Sequence, residues 1–249
     1  MNCESINPYN GDSRNKTQQV REMFDNIAPA YDFMNRAMTF GIDRIWRRKA
    51  VDMLKAHPHS TILDVATGTG DLAILLARRT DATAITGIDL SEGMIAVGQR
   101  KIADAGLSDR ITLHAGDSLA MPWEDHTFHA VTVAYGVRNF ENLLQGYREM
   151  LRVLRPGGTI TVIELSTPTS PIIKPLYHLY TRHIIPIVGR MVSKDVRAYA
   201  YLPESIAAVP QGPEMTAIMK HAGFTDTRYH RLTFGTCTIY TGRKPSEQE

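Results

Sequence analysis

The stretch Thr61-Ile62-Leu63-Asp64-Val65-Ala66-Thr67-Gly68-Thr69-Gly70 joins a short β-branched run to a segment of helical period. Its continuation from Gly68 to Ala73 fits the G-x-G-x-x-[G/A] pattern of nucleoside-cofactor turns. Glycines at such a turn let the backbone bend tightly and approach a ligand at the start of the next helix. Asp89 follows at the end of the second apolar run, where a carboxylate can accept hydrogen bonds from a ribose diol. The turn therefore predicts a nucleoside cofactor and leaves its chemistry open.

Short apolar runs alternate with helical segments on both sides of this turn. The predicted strands are Thr61–Ala66, Ala84–Asp89, Ile111–Ala115, Ala130–Ala134 and Thr159–Leu165. The predicted helices between them are Asp71–Arg79, Ser91–Ala105 and Asn142–Leu154, the last stopped by Pro156-Gly157-Gly158. Because the runs lack polar alternation, they are typical of parallel strands buried on both faces. The alternation predicts an α/β, Rossmann-like fold: a doubly wound, mostly parallel sheet with helices on both faces.

Two regions lie outside the alternation. Residues 14–56 have a helical and aromatic character that predicts an N-terminal helical cover, and residues 166–210 predict an inserted substrate lid. After the lid we predict a helix at Glu214–Ala222 and a strand pair formed by Phe224–His230 and Thr236–Gly242. We therefore expect one domain, with a cofactor-binding core at 61–165 and a C-terminal α/β closure at 211–244.

Composition argues against several classes of protein. The 249 residues carry 28 Lys+Arg against 26 Asp+Glu, a balance that disfavours nucleic acid as a partner. The only two cysteines, Cys3 and Cys237, have no metal-ligand spacing, and no His/Cys cluster supplies one, so we expect no metal. Residues 1–16 lack an apolar signal core, and charges and prolines interrupt the longest apolar region, 172–192. We therefore expect a soluble, cytoplasmic protein.

Three further features distinguish between two nucleoside cofactors. Asp64 would repel a pyrophosphate but suits the cationic amino-acid end of S-adenosylmethionine. Gly116-Asp117-Ser118 resembles the acidic segment that methyltransferases place against adenine. The stretch Leu151–Gly158 is common before the fifth strand of class I methyltransferases, although it also serves as a plain helix stop. Together they favour a class I methyltransferase; the alternatives are an NAD(P)-dependent oxidoreductase and a non-catalytic nucleotide-binding module.

Four segments resemble signatures of the ubiquinone/menaquinone biosynthesis C-methyltransferase family. They are Phe24–Asn35, Leu63–Asp71, Tyr135-Gly136-Val137-Arg138-Asn139-Phe140 and Tyr199-Ala200-Tyr201-Leu202-Pro203-Glu204-Ser205-Ile206. Tyr135 and Val137 depart conservatively from the Phe and Ile that are more usual there. The resemblance spans about Val20 to Lys244. It implies cofactor contacts at Thr67, Asp89, Asp117 and Ser118, which join Asp64, Gly68 and Gly70 from the turn.

The resemblance implies C-methylation of demethylmenaquinol to menaquinol in menaquinone biosynthesis. A benzoquinol of the ubiquinone pathway, or another small or lipidic acceptor, is left open. A hydroquinone that loses a phenolic proton becomes nucleophilic at the adjacent ring carbon, so alignment and deprotonation are the protein's tasks. Arg138 would stabilise the phenolate and Asn139 would orient the ring oxygen. Tyr31 is a third catalytic candidate. The alternatives are that Arg138 only ties its loop to a carboxylate and that Tyr31 only packs.

Three lid residues, Tyr199, Tyr201 and His178, are candidate contacts for a prenylated quinol. His178 and His183 are also candidate bases, ranked below Arg138. The basic and apolar composition of 171–201 fits a prenyl chain entering from an anionic membrane surface, and equally an apolar lid with a solvated basic face. Peripheral contact with the inner face of the cell membrane and a homodimer are therefore left open.

Overall fold

The computed structural model describes residues 3–9, 11–181 and 196–246, and its centre is a seven-stranded sheet. The strands are β1 (Thr61–Val65), β2 (Ala84–Asp89), β3 (Ile111–Ala115), β4 (Phe128–Ala134), β5 (Leu154–Leu165), β6 (Thr225–Leu232) and β7 (Cys237–Arg243). Their order is β3-β2-β1-β4-β5-β7-β6. The first five pair in parallel, whereas β7 is antiparallel to both β5 and β6. The predicted α/β fold with a mostly parallel sheet is confirmed.

Helices pack on both faces of the sheet and over its carboxyl edge. They are α1 (Lys16–Ile27), α2 (Tyr31–Thr39), α3 (Asp43–Leu54), α4 (Asp71–Arg79), α5 (Glu92–Asp104), α6 (Leu143–Val153), α7 (Ile173–Leu179), α8 (Val196–Ala208) and α9 (Pro213–His221). Ser91 caps the start of α5, since its hydroxyl accepts a hydrogen bond from the Met94 amide at 3.0 Å. No helix in the described ranges is long and apolar enough to cross a bilayer.

The predicted turn at Pro156-Gly157-Gly158 lies inside β5, so the predicted start of that strand at Thr159 was wrong. Leu154 already pairs with Phe128, and the next pair is Thr159 with Ala130, so residues 155–158 bulge out of the ladder. Gly157 has a φ of +75°, which suits glycine at such a bulge. Pro and Gly mark either a turn or a bulged strand end, and only the pairing distinguishes them.

The predicted cover at 14–56 divides into two parts with different roles. Helix α3 packs on the sheet, because Trp46, Val51 and Leu54 are buried in one cluster with Ile62 of β1 and Ile163 of β5. Helices α1 and α2 form a separate apolar cluster that includes Met94 of α5. Helix α3 therefore belongs to the core of the sheet, whereas α1 and α2 form the cover over its carboxyl edge.

The chain order of the sheet reverses between β1 and β4. The loops that leave the carboxyl ends of these two strands run to opposite sides and open a crevice between them. Ligands of doubly wound sheets bind at such a crevice. The glycine turn follows β1 and the segment Tyr135–Phe140 follows β4, so both lie at this position.

Candidate active site

Three neighbouring spaces open at the carboxyl edge of the sheet. The first, the polar cleft, is lined by residues that include Gly68, Asp89, Asp117, Ser118 and Asn139. The second, the turn recess, is lined by residues that include Arg47, Asp64, Thr67, Gly68 and Asp71. The third, the apolar cavity, is lined by residues that include Trp46, Arg138, Tyr177 and Tyr180. Tyr31 and Tyr135 line all three, so two tyrosines mark the place where the spaces meet.

The glycine turn is held in a left-handed backbone that L-residues seldom adopt. Ala66, Gly68 and Gly70 have φ values of +51°, +56° and +76°. Gly136 makes room for Ala66, because a Cβ at 136 would lie 2.4 Å from the Ala66 Cβ. A Cβ at Gly68 would lie 3.8 Å from Cε1 of Tyr31, so α2 begins directly over the turn.

Asp89 fixes the turn from the end of β2. Its Oδ2 accepts the Gly68 amide at 2.8 Å and its Oδ1 accepts the Ser91 amide at 2.9 Å. Burial raises the pKa of the Asp89 carboxyl to about 6, against the opposing effect of these two bonds. The carboxylate thus lines the polar cleft with its backbone bonds already made.

Asp64 lies beneath the turn recess and is almost fully buried. Its two oxygens accept hydrogen bonds from the hydroxyls of Thr67 and Thr132, both at 2.7 Å. Burial raises the pKa of the Asp64 carboxyl to about 6, and the nearby Arg47 guanidinium partly offsets this rise. Thr67, predicted as a direct ligand contact, therefore also acts as a hydrogen-bond donor to Asp64.

These two carboxyls give the polar cleft and the turn recess a dependence on pH. A ligand whose hydroxyl or ammonium groups donate to Asp89 and Asp64 favours their ionised forms. With pKa values near 6, both groups are mostly ionised at pH 7.5 and mostly protonated at pH 5. We expect the affinity for S-adenosylhomocysteine, measured by calorimetry, to fall roughly tenfold per coupled carboxyl between these pH values. In Asp89→Asn, the affinity should retain only the pH dependence that Asp64 contributes. A wild-type affinity that does not change with pH would contradict this linkage.

Two aspartates of the predicted N-terminal signature attach the cover to the core. Asp25 of α1 accepts the Ser91 hydroxyl at 2.6 Å and the Gly93 amide at 2.9 Å. Asp32 of α2 accepts the Thr69 hydroxyl at 2.6 Å, and its other oxygen pairs with Lys101 at 2.5 Å. Both contacts hold Tyr31, which lies between them in sequence, against the turn.

Removing the second attachment should loosen the cover without unfolding the core. We expect Asp32→Asn to raise the KM for the methyl donor about fivefold, because one charge-assisted bond contributes about 1 kcal/mol at a half-buried position. Asp12→Asn is the matched control, since the Asp12 carboxylate pairs with Arg14 at the surface, away from the turn. Steady-state kinetics of both variants check this. Equal KM values for Asp32→Asn and the wild type would show that the attachment does not hold the site.

Arg138 and Glu164 form a buried ion pair beneath the apolar cavity. The Arg138 guanidinium donates to Oε1 of Glu164 at 2.9 Å and to the carbonyl of Tyr135, and the Arg138 amide donates to Glu164 Oε2 at 3.3 Å. Nε of Arg138 is buried and has no hydrogen-bond partner among the described residues. The predicted alternative, a structural tie between Arg138 and a carboxylate, is therefore present. Both bonds of the guanidinium use Nη1, so the tie does not engage the Nε–H.

Asn139 lines the polar cleft beside Arg138, and a predicted lid residue holds its amide. The Tyr201 hydroxyl donates to Oδ1 of Asn139 at 3.1 Å, and both side chains are buried. Burial raises the pKa of Tyr201 above its usual range, so its proton is retained. The structure brings these two candidates together, with Tyr201 positioning Asn139.

The remaining lid candidates are His178, Tyr199 and His183, and none of them is seen to line the site among the described side chains. His178 is exposed on α7 and does not line the apolar cavity, whereas its neighbours Tyr177 and Tyr180 do. The structure therefore does not bring His178 to the site. Tyr199 belongs to α8, but its side chain lies outside what the structure describes, as does all of His183.

Sequence reasoning missed two residues of the site. Glu164 is the one acidic residue of β5 and lies between two apolar residues at the end of the strand. An acidic residue at the carboxyl end of a buried strand could have indicated that Glu164 belongs to the site. Tyr135 was treated only as a conservative replacement, yet it contributes a wall to all three spaces. Its buried hydroxyl has no hydrogen-bond partner among the described residues, and the Arg47 guanidinium lies 5.3 Å from its ring centre.

Metal ligation finds no support in the part of the chain that the structure describes. Within it, no group of three or more His, Cys, Asp or Glu side chains is arranged to hold an ion.

Comparison with known proteins gives a family match and close relatives. The model of the ubiE/COQ5 methyltransferase family matches residues 12–244. A demethylmenaquinone methyltransferase from Bacteroides fragilis is 46% identical over 241 residues, which cover 97% of this chain and 98% of the relative. A ubiquinone/menaquinone biosynthesis C-methyltransferase from Geobacter sulfurreducens is 46% identical over 230 residues, covering 92% of this chain and 90% of the relative.

Solved structures of low identity share the fold. A SAM-dependent methyltransferase from Aquifex aeolicus matches with a TM-score of 0.58 at 18% identity, covering 79% of this chain and 88% of the other. The [4+2]-cyclase SpnF matches with a TM-score of 0.68 at 19% identity, covering 92% and 96%. Because a cyclase shares the architecture, these likenesses establish the fold alone.

Proposed function

The chain belongs to the ubiE/COQ5 methyltransferase family, and from this premise we propose that it converts demethylmenaquinol to menaquinol. The methyl group comes from S-adenosylmethionine and is added to a ring carbon of the quinol. Relatives named for this reaction cover almost the whole chain. The alternative of an NAD(P)-dependent oxidoreductase is set aside, since the match to a methyltransferase family extends over residues 12–244.

The observation that carries the proposal is the junction of an apolar cavity with a polar cleft at Tyr31 and Tyr135. An apolar cavity lined by aromatic side chains suits a quinol ring and the start of a prenyl chain, and the carboxylate-lined spaces beside it suit a charged nucleoside. A single apolar pocket would accept a hydrophobic ligand but would offer no place for the methyl donor.

The donor set of the polar cleft and the turn recess fits S-adenosylmethionine. Asp89 would hold the ribose hydroxyls, Asp117 and Ser118 the adenine end, and Asp64 with Thr67 the cationic amino-acid end. Because Gly68 and Gly70 have no side chains, a ligand can lie directly against the backbone of the turn. The bound cosubstrate supplies an electrophilic methyl group on its sulfonium sulfur.

The acceptor would enter the apolar cavity with one ring oxygen toward Arg138. The Arg138 guanidinium lines the cavity and would donate to that oxygen and stabilise it as a phenolate, while Asn139 would fix the orientation of the ring. Glu164 neutralises the guanidinium in the free protein and fixes its orientation. Because the guanidinium itself stays protonated, the phenolic proton would pass to a water at the site, and the ring carbon would lose its own proton to water after the methyl group has been added. Tyr31 closes the space between ring and turn, and the loss of water there favours charge stabilisation by Arg138.

A labelled-methyl assay with two acceptors tests the proposal. Purified protein is given S-adenosylmethionine with either a reduced demethylnaphthoquinone or a reduced benzoquinone of the ubiquinone pathway. We expect label in the naphthoquinol product. Transfer to the benzoquinol as well would widen the acceptor class, and transfer to neither would refute the assigned reaction.

A further inference from the structure

Six large apolar side chains face water beside the apolar cavity. They are Phe40, Ile45, Ile172, Leu176, Leu179 and Phe234, each between 59% and 79% exposed. They lie on three chain segments, 36–49, 168–181 and 231–236, which we call the rim segments. Exposed apolar patches of this extent usually mark an interaction surface.

Contacts between the rim segments show that the three segments surround one opening. The rings of Phe40 and Tyr180 lie 6.1 Å apart, and the Tyr180 hydroxyl donates to the Met38 carbonyl at 2.5 Å. On the other side, the Trp46 indole donates to the Thr233 hydroxyl at 2.8 Å. Gly235 lies against Pro168, because a Cβ at position 235 would be 3.6 Å from the Pro168 Cα. The second and third segments are therefore also in contact. Phe40, Tyr180 and Thr233 also line the apolar cavity, so the rim is its entrance.

The charges on the rim segments have one sign. Their exposed charged side chains are Arg36, Arg44, Arg48, Lys49, Lys174 and Arg231. The only carboxylate in these segments, Asp43, is buried and paired with Arg47. Apolar side chains that project from a basic surface complement a bilayer whose headgroups are anionic and whose interior is apolar.

We propose that the rim segments dock the protein on an anionic bilayer and place the entrance of the apolar cavity against the lipid. The prenyl chain of the acceptor would then remain in the bilayer while its ring enters the cavity, so the apolar chain need not cross water. The inference rests on the proposed function for the identity of the acceptor, whereas the docking surface itself can be tested separately.

Vesicle flotation tests the docking. Wild-type protein should bind vesicles that contain phosphatidylglycerol and bind pure phosphatidylcholine vesicles about tenfold more weakly. The double variant Leu176→Gln/Phe234→Asn should bind anionic vesicles at least tenfold more weakly. Asparagine is chosen because Phe234 has a φ of +57°, a conformation that asparagine tolerates. Tyr229→Gln is the matched control, since Tyr229 is an exposed aromatic residue on β6 outside the rim segments.

A second variant separates loss of docking from loss of folding. Arg44→Glu/Lys174→Glu leaves every apolar rim residue in place and should lower binding to anionic vesicles several-fold without changing binding to phosphatidylcholine. Wild-type binding by both double variants would overturn the proposal. Concentration-dependent dimerisation that the apolar variant abolishes, without vesicle binding by the wild type, would also overturn it and assign the rim to a second copy of the chain.

Kinetics keep this inference distinct from the proposed function. On a short-chain, water-soluble demethylnaphthoquinol, Leu176→Gln/Phe234→Asn should keep kcat within about twofold, because neither side chain lines the apolar cavity. On a long-chain acceptor in anionic vesicles its apparent KM should rise about tenfold. Failure of the wild type on the short-chain acceptor would refute the proposed function, whereas equal KM values on vesicles would refute the docking.

Discussion

Replacing Arg138 with alanine is expected to lower turnover by about 10²–10³-fold and to leave the affinity for S-adenosylhomocysteine within a few-fold. The loss follows from removing the one Lys or Arg among the described residues that line the apolar cavity, since a preorganised donor to a developing oxyanion contributes a rate factor of this order. Arg138 lines that cavity and is absent from the lining of the polar cleft, so cofactor binding should be spared. Single-turnover rates together with calorimetry would separate the two effects.

The ion pair with Glu164 requires two control variants. Alanine at 138 alone leaves a buried carboxylate without its partner, which costs about 3–5 kcal/mol of stability. Arg138→Ala/Glu164→Gln removes both charges and should fold better while remaining inactive. Arg138→Lys keeps the charge but loses the planar guanidinium and its Nε donor, so we expect a loss of about tenfold or more. Near-normal turnover in the folded double variant would show that Arg138 serves only the loop.

Replacing Asp89 with alanine is expected to weaken S-adenosylhomocysteine binding by about 10²-fold. Two effects add. The variant lacks the carboxylate that would accept the ribose hydroxyls, and it frees the Gly68 and Ser91 amides that shape the turn. Hydrogen bonds to a charged group contribute about 1.5–3 kcal/mol each, so the loss of one or two gives a change of this size.

The KM of the acceptor distinguishes weaker cofactor binding in Asp89→Ala from a general loss of folded structure. Asp89 does not line the apolar cavity, so saturating cofactor should restore turnover with an acceptor KM within a few-fold of normal. Asp81→Ala is a suitable control, because Asp81 is an exposed aspartate that pairs with His59 at the surface. Unchanged cofactor affinity in Asp89→Ala would mean that the ribose contact lies elsewhere.

The sequence was sufficient to predict the sheet because period and turn chemistry are local properties. The apolar run Thr61–Val65 and the glycines behind it determine strand, turn and helix without reference to the rest of the chain. The bulge at residues 155–158 was misplaced because it depends on pairing with β4, a partner that local pattern does not show. Likewise α3 has the same helical pattern as α1 and α2, and only its packing on Ile62 and Ile163 reveals that it belongs to the core.

The sequence predicts the site residues that lie at or after the end of a strand, but it does not predict the partners with which they form hydrogen bonds. Asp89, Asp117 and Arg138 each come directly after or at the end of a strand, so topology alone places them at one edge. The partners Glu164 for Arg138, Tyr201 for Asn139 and Lys101 for Asp32 join residues 26, 62 and 69 positions apart. A single sequence carries no sign of such long-range pairs, and His178 shows the converse, since a chemically suitable side chain on α7 faces solvent.

The central claim is that the carboxyl edge of this sheet methylates a ring carbon of a reduced demethylnaphthoquinone. The most direct measurement is a single-turnover reaction of the wild-type protein with S-adenosylmethionine that carries a ¹³C-labelled methyl group, followed by NMR of the product. We predict a new carbon–carbon bond at the ring position adjacent to a phenolic oxygen. Label on oxygen as a methyl ether, or no label on the quinol while S-adenosylhomocysteine binds normally, would contradict the account.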